Sequence, residues 1–443
     1  MRKMVVYVVM FMVCSTSCIS AEYSLLFEHI TASDTSLHAV GGGWLEERDG
    51  IKILHLTGSH YEMGYQHGML LKNETQQNLR AYLHNSPVPY EDLLDMWNET
   101  KPYIPDEYIQ EMQGLADGAG ISMEEVAAAY MAVLRGAMGC FGVAAWGPAT
   151  EDGRLYHARS FDLPMDIQDP VSGKYVHENS VLIVRNPENG YASLSPSVAG
   201  SMHGGGGINE QGMALGTQTC WSNDQTLRGT PVLFRVQMVL DHAATAEEAF
   251  TFLLSNSTLG WNFILSDAKV PVGYAVEVTA NHSYVGTFDN LVESTHPFWS
   301  LDHMVRRTNF FIDPATAATQ RPYYDPSGIR GFVRIFTEND IFFVVWRSYK
   351  AMSELFEQHW GTLTFNSTMA LMRKGYRGDT DFLLKMLIIL TEGTSFNRAW
   401  NMWVACPETG DMVVSFAERN TIAFDTPCHY VNLYQLLHEE PPP

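Results

Sequence analysis

The sequence predicts an α+β fold of four stacked layers in the order helix, sheet, sheet, helix, with a mostly helical N-terminal segment. Two observations predict it. Before residue 140 the apolar residues recur at helical spacing, whereas after it short runs rich in β-forming residues alternate with turn signals such as "EDG", "PENG" and "NEQG". Helical segments also follow the strands, so groups of strands are expected to be flanked by groups of helices.

The N-terminal part is expected to contain one strand and two long helices. The strand covers 51–56, and the run "YEMGYQHGMLLKNETQQNLRAYL" predicts a helix over 61–83. The second helix covers 122–139 and opens with a capping box, in which Ser122 and Glu125 each accept a hydrogen bond from the other's backbone. This helix ends where strand-like sequence begins.

Strands dominate beyond residue 140. They are predicted by the runs "CFGVAAW", "RLYHARSF", "SVLIVRN", "GMALGTQT", "WNFILSDA", "GYAVEVT" and "SYVGTF". Helices are expected at 230–242, at 246–255 behind a Thr245 and Glu248 capping box, and over 341–373. The run "NMWVACPETGDMVVSFAE" predicts a closing hairpin. Because no Gly/Ser or Pro linker divides the chain, we expect one intertwined fold.

The first residues are typical of a secretory signal peptide at 1–21. Two cations precede an apolar run at 4–13, and small residues follow up to a cleavage point after Ser20 or Ala21. A signal anchor is the alternative, but the apolar run is short for a bilayer. A lipoprotein cysteine at Cys18 fits less well, because Ser15 stands where a branched aliphatic residue is expected. No later run is apolar enough for a membrane span.

Sequons and charge point to a secreted or lysosome-like glycoprotein. Five N-x-[ST] tripeptides occur, and each needs a lumenal surface position to be used. Their asparagines are Asn73, Asn98, Asn256, Asn281 and Asn366. The formal net charge of −22 argues against nucleic acid and anionic membranes as partners.

Four cysteines remain once the signal peptide is removed, too few for a disulfide scaffold in a chain of this length. Cys406 is expected to pair with Cys428 on neighbouring C-terminal strands, and Cys220 is expected to be a core thiol. Cys140 is then free for chemistry.

The sequence lacks the motifs of several familiar enzyme classes. No G-x-S-x-G elbow occurs, so the "HGGGG" run at 203–207 is not the oxyanion loop of an ordinary α/β-hydrolase. No phosphate loop ending in Lys-Ser or Lys-Thr and no H-E-x-x-H occur, and the histidines form no convincing metal cluster. No metal and no cofactor are therefore expected.

The Gly139-Cys140 pair lies where the helical sequence gives way to a strand. A glycine can hold the strained backbone in which a following thiol attacks the preceding carbonyl. An N-to-S acyl shift and hydrolysis would then leave Cys140 as a new N-terminus. The freed α-amino group, with an ordinary pKa of about 7.7–8.0, could act as the base for its own thiol. The alternative is that Cys140 is a small buried hydrophobe.

The strand after Cys140 carries two further candidates. The turn "EDG" and the run "RLYHARSFD" predict a hairpin that brings Arg159 and Asp162 back toward Cys140. Arg159 could lower the pKa of the thiol, and Asp162 could orient the amine. On composition alone, a surface ion pair on a hairpin is the favoured explanation of the two residues.

The run "GCFGVAAWGPATEDGRLYHARSFDLP" resembles the nucleophile hairpin of the autoproteolytic Ntn hydrolases, in the branch of acyl-coenzyme A:6-aminopenicillanate acyltransferase. That hairpin has the form Cys strand, then D-G-x-x-x-x-x-R-N-x-D. Asp152, Gly153, Arg159 and Asp162 match it, and Ser160 replaces the usual Asn. The resemblance extends to "LTGSHYEMGYQHGMLL", a glycine-spaced helix, to "GGGGINEQGMALGTQT" and to "GWNFILSDAKVPVGYAVEV".

The resemblance implies roles for several residues. Cys140 is the nucleophile, with Arg159 and Asp162 beside it, and Asn262 donates to the tetrahedral oxyanion. Asn209 is either a second donor or a turn residue. The family also has a later arginine near the pocket, for which Arg347 is the candidate, although an arginine on a helix surface is the simpler interpretation.

The function implied is that of a secreted or lysosome-like amidase or acyltransferase, which acts on a linear N-acyl amine or N-acyl amino acid through a Cys140 thioester. Its precursor would be cut into an α chain, 22–139, and a β chain, 140–443. Two alternatives stay open. One is an Ntn lipid hydrolase resembling the phospholipase B-like proteins, and the other is a processed but inactive binding glycoprotein.

Overall fold

The computed structural model describes residues 28–29, 38–134, 139–202, 204–320, 327–338, 342–376, 378, 380–390 and 399–440. The signal peptide predicted at 1–21 lies outside these residues. In chain order the strands are β1 (Glu28–His29), β2 (His38–Val40), β3 (Gly43–Arg48), β4 (Ile51–Gly58), β5 (Gly139–Gly147), β6 (Gly153–Asp162), β7 (Ser180–Pro187), β8 (Ser193–Val198), β9 (Gly206–Asn209), β10 (Met213–Thr219), β11 (Trp261–Asp267), β12 (Val272–Val278), β13 (Ser283–Gly286), β14 (Met304–Arg307), β15 (Ala399–Cys406), β16 (Asp411–Phe416) and β17 (His429–Asn432).

The helices divide into a group before β5 and groups after β10 and β14. In chain order they are α1 (His60–Leu70), α2 (Lys72–Asn85), α3 (Tyr90–Thr100), α4 (Asp106–Ala119), α5 (Met123–Leu134), α6 (Val232–His242), α7 (Ala246–Leu254), α8 (Pro314–Ala318), α9 (Ile329–Thr337), α10 (Phe342–Gln358), α11 (Phe365–Tyr376), α12 (Phe382–Leu390) and α13 (Leu433–Leu437).

The strands form two sheets that face each other. The first has the order β1-β17-β16-β15-β6-β5-β14, and the second has the order β13-β12-β11-β10-β9-β8-β7-β4-β3-β2. β5 of the first sheet packs on β10, β11 and β12 of the second. Helices α1 and α6 cover the second sheet at β4 and β10, whereas α11 covers the first sheet at β15 and β6. The predicted α+β arrangement of helix, sheet, sheet and helix is therefore confirmed.

Two predicted helices are each divided in two. The helix expected over 61–83 breaks at Leu71, whose backbone leaves the helical region at φ −119° and ψ 38° while its side chain stays buried. The helix expected over 341–373 breaks into α10 and α11, with Gly361 at a φ of +79° between them. Ser122 and Glu125 form the expected capping box, with their reciprocal bonds at 2.9 and 3.1 Å.

Helices α1 and α4 cross at a distance that only glycine allows. A Cβ atom at Gly64 would lie 2.0 Å from the carbonyl oxygen of Glu111, and one at Gly114 would lie 2.1 Å from that of Tyr61. Gly68 and Gly118 make the same close approach one turn further on. Backbone-to-backbone packing of this kind explains the glycine spacing noted in the sequence of α1.

A buried polar cluster connects these helices to the second sheet. The guanidinium of Arg185 on β7 pairs with Glu111 on α4 and lies 3.6 Å from Asp241 on α6. His60 Nδ1 lies 2.7 Å from the Glu111 carboxylate. Although burial raises the pKa of Glu111, Arg185 and His60 together lower it to about 2. The cluster thus joins the chain before Gly139 to the chain after it by charge as well as by apolar packing.

The expected Cys406 to Cys428 disulfide is wrong, since both are free thiols. The strand register gives the reason. Cys406 pairs with Asp411, which in turn pairs with Asn432 at the far end of β17, whereas Cys428 precedes the first residue of β17. The two cysteines therefore lie at opposite ends of the same three strands. Nor is the hairpin of β15 and β16 the end of the fold, because β17 and α13 follow it.

None of the helices within the described ranges combines the length and the apolar character needed to cross a bilayer.

Candidate active site

Cys140 is the second residue of β5, an interior strand of the first sheet. In the hairpin with β6, Cys140 pairs with Phe161 and Gly139 pairs with Asp162. A Cβ atom at Gly139 would lie 3.3 Å from Cβ and 3.4 Å from Oδ2 of Asp162. The carboxylate of Asp162 therefore packs against Gly139, the residue that precedes Cys140.

The thiol of Cys140 is buried and lies beside a cation. Nη2 of Arg159 is 3.8 Å from Sγ. Burial raises the pKa of the Cys140 thiol to about 11, while the charge of Arg159 opposes this shift and that of Asp162 adds to it. In the uncut chain the thiol is thus predominantly protonated, and Arg159 is the group that favours the thiolate.

Arg159 is fixed by hydrogen bonds to the second sheet. Its guanidinium donates to the carbonyl oxygens of Gly204 at 3.0 Å and Thr217 at 3.1 Å, and to the Thr217 hydroxyl at 3.2 Å. It also lies over the ring of Phe161, 4.7 Å from the centroid. The cation is held without a close ion pair among these contacts, so its charge remains available to the thiol.

Ser160, which departs from the family pattern, connects the two strands of the hairpin. Its hydroxyl accepts from the backbone N–H of Phe141 at 3.1 Å and donates to Oδ2 of Asp162 at 3.4 Å. A serine at this position therefore still provides a hydrogen bond to the carboxylate of Asp162, which pairs with Gly139.

Two residues that the sequence analysis missed hold the backbone of Cys140. Oδ1 of Asn309 accepts from the Cys140 N–H at 2.9 Å, and the hydroxyl of Thr308 donates to the Cys140 carbonyl at 2.8 Å. Both follow β14, which pairs with β5. In the run "MVRRTNF", a short apolar and basic stretch precedes the two polar residues. This is a weak strand signal, and it lies far from Cys140 in the sequence.

Asn262 lies on β11, buried, and reaches the same segment. Its Nδ2 donates to the carbonyl oxygens of Thr308 at 2.9 Å and Phe310 at 2.7 Å. Both amide hydrogens are therefore used within the protein in this state, and Asn262 supports the loop that carries Thr308 and Asn309. Its predicted role as an oxyanion donor stays a prediction.

Asn209 and Arg347 lie elsewhere. Nδ2 of Asn209 donates to the carbonyl oxygens of Leu240 and Ala243 at 3.0 and 2.8 Å, and its Oδ1 accepts from the turn before β10. This geometry is that of the turn residue, one of the two alternatives. Arg347 lies on α10, where it pairs with Asp381 at 2.5 Å, in agreement with the simpler interpretation of an arginine on a helix.

Within the described residues, one group of side chains has the spacing of a metal site, and it contains Glu46, His55 and Glu439. The guanidinium of Arg48 donates to both carboxylates of this group. A cation already occupies the place between the carboxylates, which makes the group an ion-pair cluster.

An apolar cavity of about 50 Å³ lies next to the contacts of Arg159. Gly204 and Thr217, which bind the guanidinium, form part of its wall. Helices α2, α5 and α6 supply the helical side of the wall, with Leu79, Tyr130 and Val236 among the lining residues, and strand residues such as Phe161 and Trp261 complete it. The walls on the helical side therefore come largely from the chain before Gly139, and they suit an apolar group.

The fold consists of two facing sheets between helices. A cysteine lies on an interior strand, and an arginine and an aspartate lie on the next strand. This arrangement is expected of an Ntn hydrolase with a cysteine nucleophile. The family model described as Acyl-coenzyme A:6-aminopenicillanic acid acyl-transferase matches residues 150–331. The predicted resemblance is thereby confirmed: this chain is similar to a family of enzymes of the predicted class, which acts on carbon–nitrogen amide bonds. The matched residues contain Arg159, Asp162, Asn209 and Asn262.

Relatives cover only parts of the chain. An uncharacterized protein of Archaeoglobus fulgidus is 27% identical over 282 residues, which are 54% of this chain and 46% of that protein. Protein dcd1A of Dictyostelium discoideum is 29% identical over 146 residues, 27% of this chain and 33% of its own. The matches thus span less than half the length of these curated relatives. Penicillin V acylase from Agrobacterium tumefaciens, a solved structure, is 15% identical with a TM-score of 0.38, covering 67% of this chain and 87% of that one.

Replacing Arg159 with lysine tests the fixed cation. A lysine lacks the planar fork that reaches Gly204 and Thr217 together, so we expect processing and any turnover to fall at least about 10-fold. Arg154→Lys on the same strand is the control, because Arg154 is half exposed and only its pairing with Asp152 is at stake. Processing is followed on denaturing gels. If processing and turnover are the same in the two variants, Arg159 is not part of the active site.

Proposed function

We propose that this protein is an amidase whose nucleophile is Cys140, activated by autocatalytic cleavage of the Gly139–Cys140 bond. The observation that carries the proposal is the set of contacts around one residue. The thiol, the N–H and the carbonyl of Cys140 each have a separate partner, namely Arg159, Asn309 and Thr308. A cysteine that served only as a small core residue would not need its sulfur beside a cation.

The cleavage step needs no group beyond the chain and water. Sγ of Cys140 attacks the carbonyl carbon of Gly139, the carbon–nitrogen bond breaks, and the nitrogen of Cys140 takes the proton that the thiol gives up. Asp162, opposite Gly139, is placed to carry that proton. Water then hydrolyses the resulting thioester, which leaves a carboxylate on Gly139 and returns the thiol.

The cut chain gains the base that the uncut chain lacks. The Cys140 nitrogen becomes an α-amino group with an ordinary pKa of about 7.7–8.0, within reach of its own thiol and of the Asn309 side chain. It can take the thiol proton as Sγ attacks a substrate amide and return it to the leaving amine. Water or a second amine then resolves the acyl thioester, giving an amidase or an acyltransferase, and water is the default acceptor.

We include oxyanion stabilisation by Asn262 in this proposal, but it requires a change in the hydrogen bonds of Asn262. Its Nδ2 bonds to Thr308 and Phe310 in the uncut chain, so the role requires that one of these bonds opens when the substrate carbonyl arrives. A backbone donor would need no such rearrangement. Removal of a true oxyanion donor is expected to lower turnover by about 100-fold.

The cavity beside Arg159 supports an apolar acyl group as one half of the substrate, in a linear amide. Secretion or delivery to a lysosome-like lumen is also part of the proposal. The predicted signal peptide supports it, and so does the exposure of the asparagine in every one of the five sequons. Exposure is the condition for a sequon to be glycosylated.

Cys140→Ala is expected to remain one uncut chain, because the attacking sulfur is gone. The wild-type protein should give two fragments, and the larger should begin at Cys140. Cys428→Ala is the matched control, since Cys428 is a free thiol away from the hairpin, and it should be cut normally. N-terminal sequencing decides the point. A large fragment that begins at another residue, or a cut Cys140→Ala chain, would overturn autocatalysis.

Val236→Phe should select against long acyl groups. Val236 is fully buried on α6 and lines the apolar cavity, so a phenyl ring there reduces the space. For N-acyl amides of increasing chain length, kcat/KM should fall at least about 10-fold for long chains and stay nearly unchanged for an acetyl amide. Normal cleavage at Gly139 controls for folding. A uniform change across all chain lengths would place the acyl group elsewhere.

A further inference from the structure

The loop after β14 carries both side chains that hold the backbone of Cys140. It follows Arg307, the last residue of β14, runs to Asp313 and contains Thr308 and Asn309. Between β14 and α8 it has no regular ladder of its own, so other groups must set its position. The strands β11 and β12 of the opposite sheet supply those groups.

Glu277 on β12 binds both ends of this loop. Its Oε1 accepts from Nε of Arg307 at 2.9 Å and from the backbone N–H of Ile312 at 2.8 Å. Its Oε2 accepts from the backbone N–H of Asp313 at 3.2 Å and from the Thr316 hydroxyl at 2.5 Å. One carboxylate thus spans the residues on either side of Thr308 and Asn309.

The carboxylate of Glu277 is itself held in place. It is fully buried, and its cationic partner Arg307 is bound a second time by Glu293, at 2.8 and 2.6 Å. Tyr284 donates to Glu293 at 3.0 Å and completes the group. Removing such charges from water is costly, and the donors arranged around each carboxylate offset that cost. The result is a rigid support directly beneath the loop.

Asn262 adds a second support from the neighbouring strand. In the sheet register it lies directly opposite Glu277, and it donates to the carbonyl oxygens of Thr308 and Phe310. The ends of the loop are therefore held by Glu277 and its middle by Asn262.

We propose that Glu277 is a positioning residue for Cys140, which acts by holding the loop that carries Thr308 and Asn309. This inference rests on the proposed function. If the loop shifts, the amide that holds the Cys140 nitrogen shifts with it. Both cleavage of the precursor and turnover by the mature protein then become slower, while the apolar cavity, which none of Glu277, Thr308 and Asn309 lines, is unaffected.

Glu277→Gln tests the proposal with little change of shape. The new amide nitrogen cannot accept a hydrogen bond, so the donors of the loop that face the replaced oxygen lose their acceptor. We expect cleavage at Gly139 and kcat on an N-acyl amide to fall about 10- to 100-fold, the range that small misplacements cause, with KM changed less than about 2-fold. Thr316→Val removes a single bond from Oε2 and should change the same quantities in the same direction by less.

A pH profile separates positioning from general loss of stability. Oδ1 of Asn309 accepts from the Cys140 nitrogen and so favours the protonated amine. When that contact weakens, the pKa of the amine falls, and the acid limb of kcat/KM moves to lower pH in Glu277→Gln. A variant that is only less stable would keep the wild-type pH profile.

Glu111→Gln is the matched control. Glu111 is also a buried carboxylate paired with an arginine, but it belongs to the cluster between α4 and β7. The Glu111→Gln substitution should lower the melting temperature without changing the cleavage rate, kcat or the acid limb of the pH profile of kcat/KM. The proposal is overturned if Glu277→Gln behaves as wild type, if Glu111→Gln shows the same kinetic changes, or if Glu277→Gln does not fold and Thr316→Val keeps wild-type kinetics. Absence of cleavage in the wild type would instead contradict the proposed function.

Discussion

The hydrogen bond from the Cys140 nitrogen to the side chain of Asn309 is the contact on which the account of the site depends. This nitrogen belongs to the Gly139–Cys140 peptide bond, and under the proposed cleavage it would become the base. Asn309 would then position the same atom for both proposed reactions. The bond requires β14 to lie beside β5 in the first sheet. It also depends on the facing sheet, whose residues Asn262 and Glu277 support the loop after β14.

Buried charge has two uses in this fold. Around Glu111 and around Arg307, carboxylates and guanidinium groups are closely paired, and they join helices and loops to the second sheet. Arg159 differs, because its hydrogen bonds go to carbonyl and hydroxyl oxygens and leave its charge directed at Sγ of Cys140. Burial outweighs that charge, because it raises the pKa of the Cys140 thiol to about 11. A free amine beside the thiol would change that balance.

The features that could be predicted from the sequence are local. Arg159 and Asp162 could be placed near Cys140 because a single turn separates the two strands of a hairpin. Their proximity to Cys140 depends only on the register of that hairpin. Thr308 and Asn309 could not, because their approach depends on the order β6-β5-β14 within a sheet. The same limit explains the error at Cys406 and Cys428, which lie at opposite ends of the three strands β15, β16 and β17. The break of the first helix at Leu71 depends on the burial of Leu71 in the tertiary structure, and the helical spacing of the sequence does not reveal this burial.

The central claim is that Cys140, as a free N-terminus, forms a thioester with the acyl half of an amide. Rapid acid quenching of the processed protein with an N-acyl amide, followed by digestion and mass spectrometry, tests it directly. The expected result is a peptide that begins with Cys140 and carries the mass of the acyl group, when digestion is carried out at acidic pH so that the acyl group does not move from sulfur to the α-amine. An acyl group on any other residue, or turnover without an adduct on a peptide that begins at Cys140 under conditions that trap acyl-enzymes, would contradict it.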